Sequence, residues 1–99
     1  MIVHDIATAR AGDKGNTAQI AVIAREPASY DFLCEKLTVE CVAKAFAGIA
    51  AGPITRHEVP GLGALVFILE NALGGGVAIS LASDPHGKSL SSRMLGIRL

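Results

Sequence analysis

The chain is poor in aromatic residues: Tyr30, Phe32, Phe46 and Phe67 are all it has, and there is no tryptophan. Platforms that stack nucleic-acid bases are built from such rings, so this inventory argues against one. Neither charge is in excess, since nine Lys and Arg balance nine Asp and Glu. Without a basic surplus there is no electrostatic footprint for DNA, RNA or anionic lipid. No apolar run reaches the ~18 residues of a membrane span. The longest, Leu62 to Leu69, stops at Glu70 and Asn71. His4, Asp5 and Arg10 come too early for a signal peptide, so the expected location is cytoplasmic. Cysteine is scarce too. If Cys34 and Cys41 shared one helix they would stand about 10 Å apart along its axis, beyond disulfide reach. A helix break near Thr38 would change that geometry. Both read as small buried hydrophobes. His4, His57 and His86 stand singly, without the spacing of metal ligands. No metal and no cofactor are expected.

What remains is an apolar chain suited to one core. It has 99 residues, 51% hydrophobic and 18% charged, the reverse of a disordered composition. Residues 1–99 read as a single domain, which at this size buries roughly two-thirds of its unfolded surface. The apolar fraction slightly exceeds that of an average soluble domain, which suits an oligomer or partner interface.

Ile2 to Ala11 reads as a first strand and Ala18 to Ala24 as a second, with Gly12-Asp13-Lys14-Gly15-Asn16 as a hairpin turn or wider loop between them. Pro27 opens a helical region, with Ser29 a plausible N-cap and Thr38 a second one. Val39, Val42, Ala43, Phe46 and Ile49 form one helical stripe. Gly48, Gly52 and Pro53 end it. Ile54 to Val59 is a short charged strand, suited to a sheet edge. Leu62 to Leu73, apolar on most sides, predicts a third, buried helix. Gly74-Gly75-Gly76 stops it, Val77 to Ala82 predicts a fourth strand, and Ser83 to Gly87 a turn. Lys88 to Leu95 predicts a last helical turn or two. The order β-β-α(α)-β-α-β predicts helices on one face of a small, mainly antiparallel sheet: an α+β, ferredoxin-like two-layer sandwich with its elements circularly shifted.

The most unusual segment is Arg10 to Thr17. Gly12 and Gly15 permit φ > 0 and close approach of a ligand. Successive amides in such a turn converge on anions. Lys14 and Arg10 would add positive charge, Asn16 hydrogen bonds, and Asp13 an acid or base. The spacing is neither that of a P-loop nor GxGxxG. A plain polar turn explains the same residues. Gly74, Gly75 and Gly76 offer either room for a ligand or a helix C-cap. Asp84 to Lys88 offers His86 as an acid or base, or an exposed turn. Arg56, His57 and Glu58 read as a solvated face. No nucleophile elbow accompanies the serines.

These residues resemble a known family. The run ATARAGDKGNTAQIAVIAR at 7–25, VPGLGAL at 59–65, ALGGGV at 72–77 and HGK at 86–88 resemble the C-terminal domain of the AtuA-like, acyclic terpene utilisation proteins. The similarity covers nearly the whole chain. It implies a ferredoxin-like fold and a link to catabolism of branched or terpenoid acyl-CoA compounds. It also implies a partner chain carrying the larger domain. Gly12, Asp13, Lys14, Gly15, Asn16, Gly74, Gly75, Gly76, Gly87 and Lys88 match the pattern. Thr8 and Val66 depart from it: a His often stands at the first position and an Asn at the second.

Three functions are compatible with these readings. One is an accessory or binding subunit that docks on a larger AtuA-type subunit or self-associates, with GDKGN as a site for a small anion. Another is a small lyase or hydro-lyase acting on a carboxylate or acyl-CoA. There Lys14 and Arg10 hold the anion and Asp13 or His86 moves protons. The third is a purely structural oligomer.

Overall fold

The structure is a computed structural model that describes residues 1–14, 17–47, 52–70 and 88–99. Strands β1 (Ala7–Lys14) and β2 (Thr17–Ala24) are followed by helices α1 (Pro27–Lys36) and α2 (Val39–Ala45). Strands β3 (Ile54–Val59) and β4 (Ala64–Leu69) come next, and helix α3 (Lys88–Leu95) closes the chain. The four strands form one sheet in the order β1-β2-β4-β3, with every neighbouring pair antiparallel. This is the expected α+β, ferredoxin-like layering.

Strand alternation explains the core. Ala18, Ile20 and Val22 of β2 and Leu65, Phe67 and Leu69 of β4 are buried, and they share one face. They join Leu33 of α1, Val42 of α2, and Leu90 and Met94 of α3 in a single cluster. All three helices therefore cover the same side. On that side β1 brings Ala7, Ala9 and Ala11 to the core, and α3 packs directly over it. Small side chains there let the helix come close.

The two chain ends are bonded to each other. The Val3 N–H donates to the Ile97 carbonyl at 2.9 Å and the Leu99 N–H to the Met1 carbonyl at 2.9 Å. The first strand starts later than expected: residues Val3–Asp5 form a 3-10 turn, held by the Asp5 carboxylate accepting the Ile2 N–H at 2.9 Å. Thr38 is a cap as expected, its hydroxyl accepting the Cys41 N–H at 3.1 Å. The first cap is Glu26 rather than Ser29, because Pro27 takes the first helical position. The break at Leu37 puts the half-buried Cys34 and Cys41 on separate helices, both as free thiols.

The largest correction concerns Leu62 to Leu73. It is not one helix. Leu62 ends a 3-10 turn and Ala64–Leu69 is an inner strand, hydrogen-bonded on both sides. A short apolar run has no diagnostic period, and Val66, Phe67 and Ile68 prefer a pleated surface. Gly63 supplies the left-handed turn (φ 61°, ψ 37°) that reverses the chain. Among the described residues the order is therefore β-β-α-α-β-β, then α3. The expected strand Val77–Ala82, the turn at 83–87 and Gly48 and Ile49 lie outside the described residues. No described helix is long and apolar enough to cross a membrane.

Candidate functional site: the uncovered face of the sheet

The segment GDKGN is not a free loop. Gly12, Asp13 and Lys14 belong to β1 and pair with Gln19, Ala18 and Thr17, so Gly15 and Asn16 alone separate the strands. Gly15 and Asn16 lie outside the described residues, as do the side chains of Asp13 and Lys14. The expectation of a positive φ at Gly12 fails, because the residue is extended strand; among the described residues that conformation occurs only at Gly63. Strand amides alternate between the ladder and the open edge, so those of Gly12 to Lys14 do not converge as in an anion nest. A Cβ built on Gly12 would meet nothing within 4 Å. Within the described chain, neither φ nor crowding requires a glycine there. The space above it is open to an outside group.

Register assigns the opposite face of the sheet residue by residue. One row runs Arg10, Ala21, Val66, His57 across all four strands. The next row towards the β1–β2 turn is Gly12, Gln19, Ile68, Thr55. The row on the other side is Thr8, Ile23, Ala64, Val59. No described helix covers these rows. Ala21, Ile23, Val66 and Ile68 are half-buried, whereas Arg10, Gly12, Gln19 and His57 are exposed. The result is an apolar floor with a guanidinium at one edge and an imidazole at the other. Three strand spacings separate Arg10 from His57 by about 14 Å. They cannot grip one carboxylate together, but they can flank an extended molecule. Thr8 and Val66, the two departures from the resembled pattern, lie on this same face.

The helix-covered face holds a polar cluster that sequence reasoning missed. Arg56 does not belong to a solvated surface. Its Nη1 donates to the carbonyls of Cys34 at 2.8 Å and Leu37 at 3.0 Å, and its Nη2 pairs with Glu58 at 3.0 Å. It caps the last carbonyls of α1, where a cation also suits the helix dipole. The signal was available: Arg56 alternates in phase with Ile54, which packs against the core. Beside it the Tyr30 hydroxyl is buried and finds no hydrogen-bond partner of good geometry among the described residues. Burial first, and the neighbouring Cys34 thiol second, push its pKa up from 10.0 to about 12. The phenol stays neutral and serves packing.

The remaining candidates divide plainly. Lys88 opens α3, with its side chain outside the description, and Gly74, Gly75, Gly76 and His86 lie outside the described residues. Among the described residues no three His, Cys, Asp or Glu side chains are grouped to hold a metal ion.

The model of the AtuA ferredoxin-like domain matches residues 1–99. The chain belongs to that family. No curated protein and no solved structure matches it. For this AtuA ferredoxin-like domain the family match and the sheet order agree on the fold. The uncovered face is the part of it that the packing of the described core leaves free.

Proposed function

We propose that this AtuA ferredoxin-like domain is an accessory binding module linked to the catabolism of branched or terpenoid acyl-CoA compounds or related carboxylates. The ligand's negative end would meet Arg10 beside Gly12, and its hydrocarbon part would lie over Ala21, Val66 and Ile68. The observation that carries this reading is that one face holds an exposed guanidinium at the edge of an apolar floor. Lys14, Gly15 and Asn16 extend the same end in sequence. A larger AtuA-type subunit would supply the chemistry. On the described part of this face His57, about 14 Å from Arg10, stands too far off to move a proton at an anion held there.

The apolar run at 62–69 offers this reading no docking helix, because Ala64–Leu69 is an inner strand. The test is calorimetric titration of a branched medium-chain carboxylate and its CoA thioester into the purified chain. Arg10→Ala is expected to weaken binding roughly ten- to a hundredfold, the loss of one charge-assisted contact of about 1.5–3 kcal/mol. Equal affinity of the two proteins, or no binding by either with the larger subunit present, would overturn it.

A further inference from the structure

At the end of the sheet remote from the β1–β2 turn, the β3–β4 turn and the start of α1 enclose an open cavity of about 470 Å³. Ala24, Pro27 and Tyr30 wall one side of it and the Pro60–Gly63 turn the other. Leu62 stands on the rim with 73% of its surface exposed. Among the described residues only it and Met1 are large hydrophobics so exposed. A single exposed leucine is ordinary in itself. Here the exposed knob and a hole lined by Ala24, Pro27 and Tyr30 together with charged side chains belong to one patch. The hole has ample room: a four-carbon side chain displaces roughly 100 Å³, a few waters' share of liquid volume.

The knob is held in place. Pro60 restricts the turn, the Gly63 N–H donates to the Pro60 carbonyl at 3.1 Å, and the Ala24 N–H donates to the Gly63 carbonyl at 2.9 Å. A pre-ordered tip loses little freedom on association. The rim also carries Arg25, Glu26 and Asp31. The ion pairs among the described residues are Lys36–Glu35 and Arg56–Glu58, so these three have no ionic partner there. A patch that carries a knob, a hole and both charge signs has the ingredients of an isologous contact, in which one surface meets a second copy of itself.

We propose that this rim is a two-fold interface between two copies of the chain. Leu62 of each copy sits in the other's cavity, and Arg25 of each faces the acidic side of the other's rim. Neither Arg10 nor Gly12 lines the cavity, so the proposal does not depend on the ligand reading. The test is sedimentation velocity of the full chain from about 1 μM to 1 mM, the range of weak-to-moderate affinities. A reversible monomer–dimer equilibrium is expected. Leu62→Glu should weaken it at least tenfold while leaving the far-UV spectrum and Tm unchanged, since the side chain is exposed. Arg25→Glu should also weaken it, and adding Asp31→Arg should restore it. A chain monomeric throughout overturns the proposal, as does a dimer indifferent to both Leu62→Glu and Arg25→Glu. If Leu62→Glu lowers Tm, Leu62→Ala and the charge-reversal pair decide in its place. Titration at Arg10 is read separately, so failure of either proposal is distinguishable from failure of the other.

Discussion

The two faces of the sheet are made by the same strands, yet they differ in what rests on them. On β4, Leu65, Phe67 and Leu69 are buried under the helices, while Val66 and Ile68, one residue out of phase, remain half-buried on the side that no described helix covers. Composition does not separate them, since both sets are apolar. Position does. On the covered face apolar area is already removed from water and supports the fold, at about 25 cal/mol for each Å². On the other face the area still exposed is available to a ligand or partner. A strand read as uniformly hydrophobic therefore presents two different faces, sorted by the parity of its residues.

Four substitutions break or sharpen that contrast. Phe67→Ala on the covered face should cost about 3–5 kcal/mol in denaturant unfolding, through lost burial and a cavity. Arg56→Ala should cost roughly 2 kcal/mol by the same measurement, because α1 loses its charged cap on two carbonyls. Tyr30→Phe should leave stability near neutral pH unchanged or slightly higher, since a buried hydroxyl without a partner is removed. Its clearer mark is at alkaline pH. The folded-state pKa of Tyr30 is about 12 against 10.0 for the free side chain, so its contribution is complete below pH 10 and is lost between pH 10 and 12. Thermal melts of Tyr30→Phe should fall less steeply across that window than those of the parent. Val66→Asn, on the uncovered face, should cost about 1 kcal/mol or less. It should also weaken binding of the hydrocarbon part of a ligand. A loss as large as that of Phe67→Ala would show that Val66 belongs to the core and that the two faces are not distinct.

Much of this architecture was legible from local signals. The β1–β2 hairpin, the start of α1 at Pro27, the cap at Thr38, the limits of β3 at Ile54 and Val59, and α3 at Lys88–Leu95 each follow from a residue whose backbone preference acts alone. Among the described strands β3 also occupies the edge that its charge suggested. The misreading of Leu62 to Leu73 has a physical source. An inner strand flanked on both sides has no polar residues to mark its period, and only partners distant in sequence, Ala18 to Ile23 and Ile54 to Val59, decide between strand and helix. The site was half legible. Arg10 and Gly12 stood out as residue types. That they lie on an uncovered face with Val66 and His57 depends on pairings across four strands, which no window of sequence contains. Arg56 was read as solvated although it alternates in phase with Ile54, because its main-chain carbonyl partners leave no mark of their own in the sequence.

The joined chain ends bear on how the protein is made. Ala7, Ala9 and Ala11 are made well before their cover, α3, and before the Ile97 carbonyl bound by Val3. At about 5–20 residues per second, β1 waits on the order of 4–15 s for that cover. During this interval the nascent chain has a hairpin with both faces wet. Pairing across almost the full length is also the costliest loop to close. Folding of this domain should therefore complete only once α3 has been made, in one late cooperative step.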